Sequence, residues 1–349
     1  MKKHIKTMAL ALSLLMVFAV LAGCAPSTPA PAAPEAPAAA TEAPAAAPEA
    51  PAEAPAEKPR VALILEGAIS DMSWNATAYN GLKKIEAMGA EIQYTENTPA
   101  SSVADAIRTF GDEGYDVIFL STNSYADAGA ATAAEYPDTQ FFFINSGVIA
   151  ENASSFAIQD AEQGFLMGAL AALLTESKTV GFIGGLEIQP IVNGGKGFAQ
   201  GVAYVDPSVK VLSQNTGSFD DVNAAKELAK SFIGQGVDVL APMANQASLG
   251  VMEAAQEGKV KGIGSGLNQE TVAPDAAVVA IVKDTSIAYE AAYKAYLDGA
   301  ISDQVLKMGA AQGVVYIGDY YIEVPAEVKT QMEEIYQKLA AGEITITLD

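Results

Sequence analysis

The side chains that could hold another molecule lie in short segments that each follow a predicted strand. After the apolar run that ends at Leu65, such a segment contains Asp71, Ser73, Trp74 and Asn75. Later segments carry similar residue types at Asn123, Tyr125, Phe198, Asn245, Asn268 and Lys283. Amides, hydroxyls and aromatic rings dominate this set, and charged groups are few. Hydrogen bonds and ring stacking from such groups suit a small, uncharged polar ligand.

Each of these residues also has a purely structural interpretation. Ser73 could cap the helix predicted to begin near Trp74, and Asn123 could cap the next helix. Trp74 itself could be a core residue, and Lys283 could form an exposed ion pair with Asp284. The residue types and their spacing leave both interpretations open.

Several classes of enzyme are excluded by residue counts. The chain has one histidine, His4, and one cysteine, Cys24, and both lie near its N-terminus. If the residues before Cys24 are removed, a Ser-His-Asp or Cys-His hydrolase and a His-ligated or thiolate metal site are impossible. The glycine-rich segments Gly194–Gly197 and Gly262–Gly266 lack the spacing of a dinucleotide-binding loop. We therefore predict no catalytic residue, no cofactor and no metal.

The charge balance excludes a further class of partner. The 42 acidic residues outnumber the 20 basic ones, so the formal net charge is −22. Because nucleic-acid binding depends on clustered lysine and arginine, nucleic acid is not an expected partner.

The N-terminus has the composition of an export signal. Three lysines precede an apolar run at Met8–Leu21, and small residues lead to Cys24. Leu21–Cys24 resembles the bacterial lipoprotein box, so residues 1–23 are predicted to be a signal peptide and Cys24 to be lipidated. An uncleaved membrane anchor is the alternative. The lipoprotein interpretation places the chain on the extracytoplasmic face of the cell membrane.

A spacer is predicted between this anchor and the folded region. Residues 24–59 consist almost entirely of Ala, Pro and Glu and contain ten of the 17 prolines. Such a segment has too little apolar surface to form a core, so we predict a disordered tether.

The remaining 290 or so residues alternate short apolar runs with stretches of helical period. Predicted helices include Asn75–Met88 and Val222–Ile233. The predicted strands are Val61–Leu65, Val117–Leu120, Gln140–Ile144, Val180–Ile183, Val237–Leu240, Val260–Ile263 and Val278–Val282. This alternation indicates an α/β protein whose parallel sheets are covered on both faces. Its length favours two lobes over one.

Several segments resemble one known family. Residues 70–75, S-D-M-S-W-N, resemble the D-x-S-F-N signature of the basic membrane protein family, the PnrA-like lipoproteins. Gly164–Ala172, Lys178–Gly185 and Gly197–Gly201 resemble further family segments in the same order. The resemblance spans residues 60–349. Members of this family are the substrate-binding components of ABC importers for purine nucleosides and related ligands.

The resemblance implies a type I periplasmic-binding-protein fold, in which two doubly wound parallel-sheet lobes are joined by three crossovers. We expect the N-terminal lobe to comprise residues 60–158 and 276–306, and the C-terminal lobe 159–275 and 307–349.

The family's ligand contacts carry over to particular residues here. By resemblance, a nucleobase stacks between aromatic rings, and ribose hydroxyls meet Asp, Asn and Lys side chains. Asp71, Ser73, Trp74 and Asn75 match the signature, with Trp in place of Phe, and Lys283 matches the family's lysine.

Two departures affect the expected ligand. Where relatives have G-V-D-x-D-Q, this chain has Gly264–Gln269, with Asn268 in place of the second aspartate. Gly194 stands where an aromatic residue is common, which leaves Phe198 or Tyr125 to supply a second ring. A polar ring compound other than a ribonucleoside is therefore an alternative ligand.

Together these observations predict a lipid-anchored solute-binding protein that delivers a purine-nucleoside-like ligand to an ABC permease. One alternative is a protein that binds another solute, such as a flavin, a sugar or a signalling molecule. Another is a ligand-sensing subunit of a membrane receptor. An extracytoplasmic hydrolase or transferase that uses carboxylates is disfavoured by the missing histidine and the few charges at the strand ends.

Overall fold

The computed structural model describes residues 58–267 and 269–348. The predicted signal peptide, Cys24, most of the tether and Asn268 lie outside this range. The strands are β1 (Arg60–Ile64), β2 (Glu91–Thr95), β3 (Val117–Leu120), β4 (Gln140–Ile144), β5 (Ala153–Ile158), β6 (Thr179–Gly184), β7 (Lys210–Asn215), β8 (Val239–Met243), β9 (Lys261–Gly264), β10 (Ala277–Lys283), β11 (Leu306–Met308) and β12 (Val315–Tyr320). The helices are α1 (Trp74–Ala87), α2 (Val103–Asp112), α3 (Ala126–Ala133), α4 (Asp160–Leu174), α5 (Gln189–Val205), α6 (Val222–Gly234), α7 (Ser248–Gly258), α8 (Ser286–Leu297) and α9 (Ala326–Ala340).

Within the described residues the strands form two six-stranded sheets. The first has the order β11-β5-β4-β3-β1-β2 and is parallel throughout. The second has the order β12-β10-β9-β8-β6-β7, and only β12 runs antiparallel to its neighbour. We call each sheet with its covering helices a lobe. The predicted two-lobe α/β architecture is confirmed.

Both faces of the first sheet are buried, which explains its uninterrupted apolar strands. In β1, Val61 and Leu63 pack against α1 and α8, whereas Ala62 and Ile64 face the opposite layer, which contains α2 and α3. Successive strand residues point to opposite faces, so a sheet covered on both sides needs apolar residues at every position.

The chain passes between the two lobes at three places, as the resemblance implies. It leaves the first sheet after β5, returns after β10, and crosses again between β11 and β12. Residues 276–306 therefore do not lie wholly in the first lobe, because β10 pairs with β9 and β12 in the second sheet. Likewise β11, at Leu306–Met308, pairs with β5 in the first sheet. An apolar run predicts a buried strand, but it does not say which sheet that strand joins.

Helix α4 packs very closely against α5. An ideal Cβ on Gly164 would lie 1.9 Å from the Gly194 carbonyl oxygen, and one on Gly168 would lie 2.0 Å from the Phe198 carbonyl oxygen. Reciprocally, a Cβ on Gly197 would lie 2.0 Å from the Ala161 oxygen. These glycines allow the two backbones to touch, which fixes the position of the α4 N-terminus.

No helix within residues 58–267 and 269–348 has both the length and the apolar character needed to cross a membrane.

Candidate ligand-binding cavity

A cavity of about 280 Å³ lies between the two lobes. Its size is close to the lower end of small-molecule sites, about 300–1,000 Å³. The segments after strands of the first sheet contribute Glu66, Trp74, Asn75, Asn123, Asn145 and Asp160. The second lobe contributes Leu186, Ile188, Pro190, Phe219, Asp220, Asn245 and Lys283. Most of these residues follow the carboxyl ends of parallel strands, where open α/β sheets bind ligands.

Two asparagines occupy equivalent places on the opposite walls. Asn123 follows β3 and Asn245 follows β8, and these strands hold the same position in their sheets. Each asparagine begins a short 3₁₀ turn. Within the described part of the chain neither side-chain amide has a hydrogen-bond partner. Each amide can therefore both donate to and accept from a ligand in the cavity.

Trp74 is the aromatic residue on the first wall. Its indole nitrogen donates to the Ser121 carbonyl oxygen at 2.7 Å, and its half-buried ring packs against the first-lobe core. Lys283 Nζ lies 4.8 Å from the ring centroid. Because the N–H group is already bonded inside the protein, the ring face is what Trp74 offers to a ligand. The core and ligand-contact interpretations of Trp74 are therefore compatible.

Asp71 has a structural task at the start of α1. Its side chain is 3% exposed. One carboxylate oxygen accepts from the backbone N–H groups of Ser73 and Ala76, and the other accepts from the backbone N–H and the side-chain amide of Asn75, all at 2.9 Å. Ser73 occupies the N-cap position but makes no side-chain capping bond. Asp71 thus caps α1 and holds Asn75, while Asn75 and Trp74 line the cavity.

Lys283 pairs with Asp160 rather than with Asp284. Asp160 accepts a hydrogen bond from Lys283 Nζ through one oxygen and from the Asn145 amide, at 3.2 Å, through the other. The side chains of Lys283 and Asp160 are 13% and 3% exposed. The Asn145 side-chain oxygen accepts from the backbone N–H of Ile158 at 2.7 Å, which fixes the amide. The lysine is therefore neutralised within the cavity wall.

The structure places Phe198 and Tyr125 outside the cavity lining. Phe198 lies in the core with its ring centroid 5.5 Å from that of Phe182. Tyr125 is buried and donates to the Thr98 carbonyl oxygen at 2.6 Å, and burial raises the pKa of its phenol well above the usual value. The expected second ring is not supplied by either residue.

Phe219 provides an aromatic ring on the second wall. It lies in the loop between β7 and α6, where an ideal Cβ on Gly185 would come within 2.3 Å of its ring. At position 194 the Met243 side chain occupies the space that a larger residue would need, since a Cβ there would lie 2.6 Å from the Met243 sulfur. Trp74 and Phe219 therefore present rings from the two lobes.

Sequence reasoning did not select Phe219, Asn145, Asp160, Glu66 or Asp220. Ligands of open α/β sheets bind beyond the carboxyl ends of the strands, which we call the strand-end rule. This rule could have found Asn145 and Asp160, because they follow β4 and β5 within two residues. Phe219 and Asp220 follow the half-exposed edge strand β7, which has no apolar run to mark it.

One contact joins the lobes directly beside Trp74. The backbone N–H of Leu267, after β9, donates to the Met72 carbonyl oxygen, before α1, at 2.7 Å. Met72 has a positive φ of 53°, and an ideal Cβ on Gly266 would lie 2.3 Å from the same oxygen. The turn that positions Trp74 is thus also the turn that meets the second lobe.

Within the described residues, no group of three histidine, cysteine, aspartate or glutamate side chains is arranged to hold a metal ion.

Comparisons with known proteins agree with this geometry. A family model described as ABC transporter substrate-binding protein PnrA-like matches residues 58–347. The chain is 26% identical over 305 residues to Basic membrane protein A of Borreliella burgdorferi, covering 83% of this chain and 88% of that protein. It is 26% identical over 292 residues to a purine-binding protein of Brucella abortus, covering 82% of this chain and 83% of that protein. A solute-binding protein of an ABC transporter system from Aeropyrum pernix K1 shares the fold, with a TM-score of 0.72 and 21% sequence identity. The superposition covers 83% of this chain and 94% of that protein.

Proposed function

Since the chain belongs to the PnrA-like family of ABC transporter substrate-binding proteins, we propose that it captures a purine nucleoside or a related polar ring compound and delivers it to an ABC permease. The family binds solutes and does not convert them, in line with the predicted absence of catalytic residues. The Brucella abortus relative, which is named for purine binding, supports a ligand of this class.

The proposal rests on the rings and amides that the two lobes place on opposite sides of the cavity. Trp74 and Phe219 offer ring faces from opposite lobes, and Asn123 and Asn245 offer amides from opposite lobes. A flat ring bearing hydrogen-bonding groups suits both sets, because it can stack on the aromatic rings and form hydrogen bonds with the amides through its polar edge. The apolar side chains of Leu186 and Ile188 complete the second wall.

A ligand held by both lobes would stabilise the closed arrangement over an open one. The bond between Leu267 and Met72 adjoins Trp74, so a ligand stacked on the indole would hold the turn that contacts the second lobe. A permease can then distinguish the loaded protein by its closed shape.

We also propose that Cys24 is lipidated and anchors the protein to the extracytoplasmic face of the cell membrane. The support is the lipoprotein-like segment Leu21–Cys24 at the end of an apolar run. Replacement of Cys24 by Ala should leave an unlipidated precursor, and unchanged lipid labelling of that variant would contradict the anchor.

The ligand proposal is tested by mass spectrometry of small molecules released when the purified protein is denatured. Calorimetric titration with purine nucleosides, nucleobases, riboflavin and simple sugars should then show tight binding of a purine compound. If a sugar or a flavin binds and no purine compound does, the proposed ligand class is wrong. Loss of uptake of the identified ligand in cells lacking the protein would support the delivery step.

A further inference from the structure

The charges that line the cavity do not cancel. Among the described residues, four ionisable side chains contribute to the lining: Glu66, Asp160, Asp220 and Lys283. Lys283 and Asp160 form the buried pair described above and neutralise one another. Glu66 on the first wall and Asp220 on the second remain. Both residues are exposed, so the lining carries two solvent-facing carboxylates that no cation of the described residues pairs with.

Neither carboxylate has a strong partner within residues 58–267 and 269–348. Glu66 accepts one long hydrogen bond, 3.4 Å, from the Ser124 hydroxyl. The Asp220 carboxylate accepts none within the described residues, and neither acid takes part in an ion pair there. The adjacent Asp221 does have a structural role, because its side chain accepts from the Ala224 N–H group and caps α6. Asp220 therefore stands beside Phe219 with no capping function of its own.

Two donors in the cavity wall are already engaged within the protein. The Trp74 indole N–H is bonded to Ser121, and Lys283 is bonded to Asp160. The amides of Asn123 and Asn245 offer donors, but each also offers an acceptor. Among the described lining residues, the charged groups without an ion-pair partner are therefore both hydrogen-bond acceptors.

We infer that the ligand presents hydrogen-bond donors, in particular an amino group or a positively charged nitrogen, to Glu66 and Asp220, and that the site discriminates against anionic ligands. This inference rests on the proposed function for the choice of cavity, and it narrows the ligand class. Hydrogen bonds from such donors to carboxylates are charge-assisted and stronger than neutral ones. A phosphate group would instead face two negative charges, and the described lining residues offer it no unpaired cation.

The test compares ligands that differ in one donor group. Binding of adenosine and purine riboside, which lacks the 6-amino group, and of glucosamine and glucose, is measured by calorimetry on wild-type protein and on the Glu66→Gln and Asp220→Asn variants. AMP is compared with adenosine. Wild-type protein should prefer the amino-bearing member of a bound pair by about tenfold, as expected where a site pairs with a ligand donor. AMP should bind more weakly than adenosine. Each variant should reduce the preference several-fold.

Glu187→Gln is the matched control. Glu187 is exposed, lies between the cavity-lining residues Leu186 and Ile188, and does not itself line the cavity. The Glu187→Gln substitution removes one negative charge close to the cavity and should leave the preference for the amino-bearing ligand unchanged.

The outcomes separate the two proposals. If adenosine and purine riboside bind equally well, or if both variants keep the wild-type preference, the inference is wrong while the nucleoside proposal stands. If glucosamine binds and no nucleoside does, the nucleoside proposal is wrong and the donor preference stands. Tighter binding of AMP, or no binding of any of these compounds at millimolar concentration, counts against the inference.

Discussion

Lys283 at the end of β10 and Asp160 at the start of α4 form a buried ion pair across 123 positions of sequence. The pair joins two of the segments by which the chain passes between the lobes. The same helical turn makes further bonds: the Gln163 amide donates to the carbonyl oxygens of Ser265 and Ile281, and Glu162 accepts from the Ala310 N–H group at 2.6 Å. The first turn of α4 is therefore bonded to every segment that links the lobes.

Replacing one partner of the Lys283–Asp160 pair should lower the unfolding free energy of the protein. Lys283→Met would leave the Asp160 carboxylate buried without a cation, and such losses cost about 3–5 kcal/mol of unfolding free energy. The double variant Asp160→Asn with Lys283→Met removes both charges and should recover most of that loss. Urea denaturation of the ligand-free proteins measures the unfolding free energy of the single and the double variant. A double variant as unstable as the single one would show that the charges are not coupled.

The strand-end rule predicts much of the cavity from sequence. It selects Asn123, Asn245 and Lys283 after three different strands, and the structure places all three around one cavity. The rule works because residues that follow neighbouring parallel strands emerge at one edge of the sheet. It cannot identify partners, so nothing in the sequence pairs Lys283 with Asp160.

The remaining differences have physical causes. Asp71 belongs to a sequence motif, but a short acidic residue before a helix is also a good cap, and the structure uses its oxygens for that purpose. Phe198 follows a glycine on α5, but its ring lies fully buried in the core beside that of Phe182. β10 joins the second sheet because pairing between distant strands depends on topology, which an apolar run does not encode.

Gly168→Ala should destabilise the second lobe. The added methyl group would meet the Phe198 carbonyl oxygen, which belongs to the backbone of α5 and cannot rotate away. Overpacking of this kind costs about 1–3 kcal/mol. Gly234→Ala in α6 is the control, since a Cβ there meets nothing within 4 Å. That variant should be neutral or slightly stabilising. Equal urea midpoints for the two variants would contradict the close helix contact.

Glu162 should make stability depend on pH. Burial raises the pKa of Glu162, against the opposing effect of its hydrogen bond from Ala310. The folded state therefore binds this proton more tightly than the unfolded chain does. The contribution to the unfolding free energy is fully present below the ordinary glutamate pKa and falls as pH rises through the raised value.

Glu162→Gln removes that dependence. The glutamine oxygen can still accept from Ala310, so the variant should be more stable than wild type above the raised pKa, with a flatter pH profile. Thermal unfolding across pH 4–8 measures this, with the exposed Glu334→Gln as control. A Glu162→Gln profile parallel to that of wild type would be inconsistent with the expected titration.

Trp74 should report ligand binding directly. It is the chain's one tryptophan, and ligand stacking on its ring should change the intrinsic fluorescence. Trp74→Ala should weaken binding by about 1–3 kcal/mol, as loss of a stacked ring does for bases. Trp74→Phe keeps a ring but loses the bond to Ser121, so it should bind more tightly than the alanine variant. Unchanged affinity in Trp74→Ala, with only a lower melting temperature, would restrict Trp74 to core packing.

Gly266 should control closure of the lobes. A methyl group at this position would lie 2.3 Å from the Met72 carbonyl oxygen, which accepts the bond from Leu267 on the opposite lobe. We therefore expect Gly266→Ala to disfavour the arrangement in which these two turns touch, by an overpacking penalty of about 1–3 kcal/mol. Because ligand affinity scales with the fraction of competent protein, affinity should fall by about 5- to 150-fold. The radius of gyration at subsaturating ligand should increase.

Gly147→Ala provides the comparison for this last experiment. A Cβ at Gly147 meets no atom within 4 Å, and the residue does not line the cavity. Calorimetry and small-angle scattering on both variants separate a general effect of glycine replacement from an effect on closure. Gly147→Ala should match wild type in both measurements. If Gly266→Ala also binds as tightly as wild type and has the same radius of gyration, the contact between Met72 and Leu267 does not govern closure.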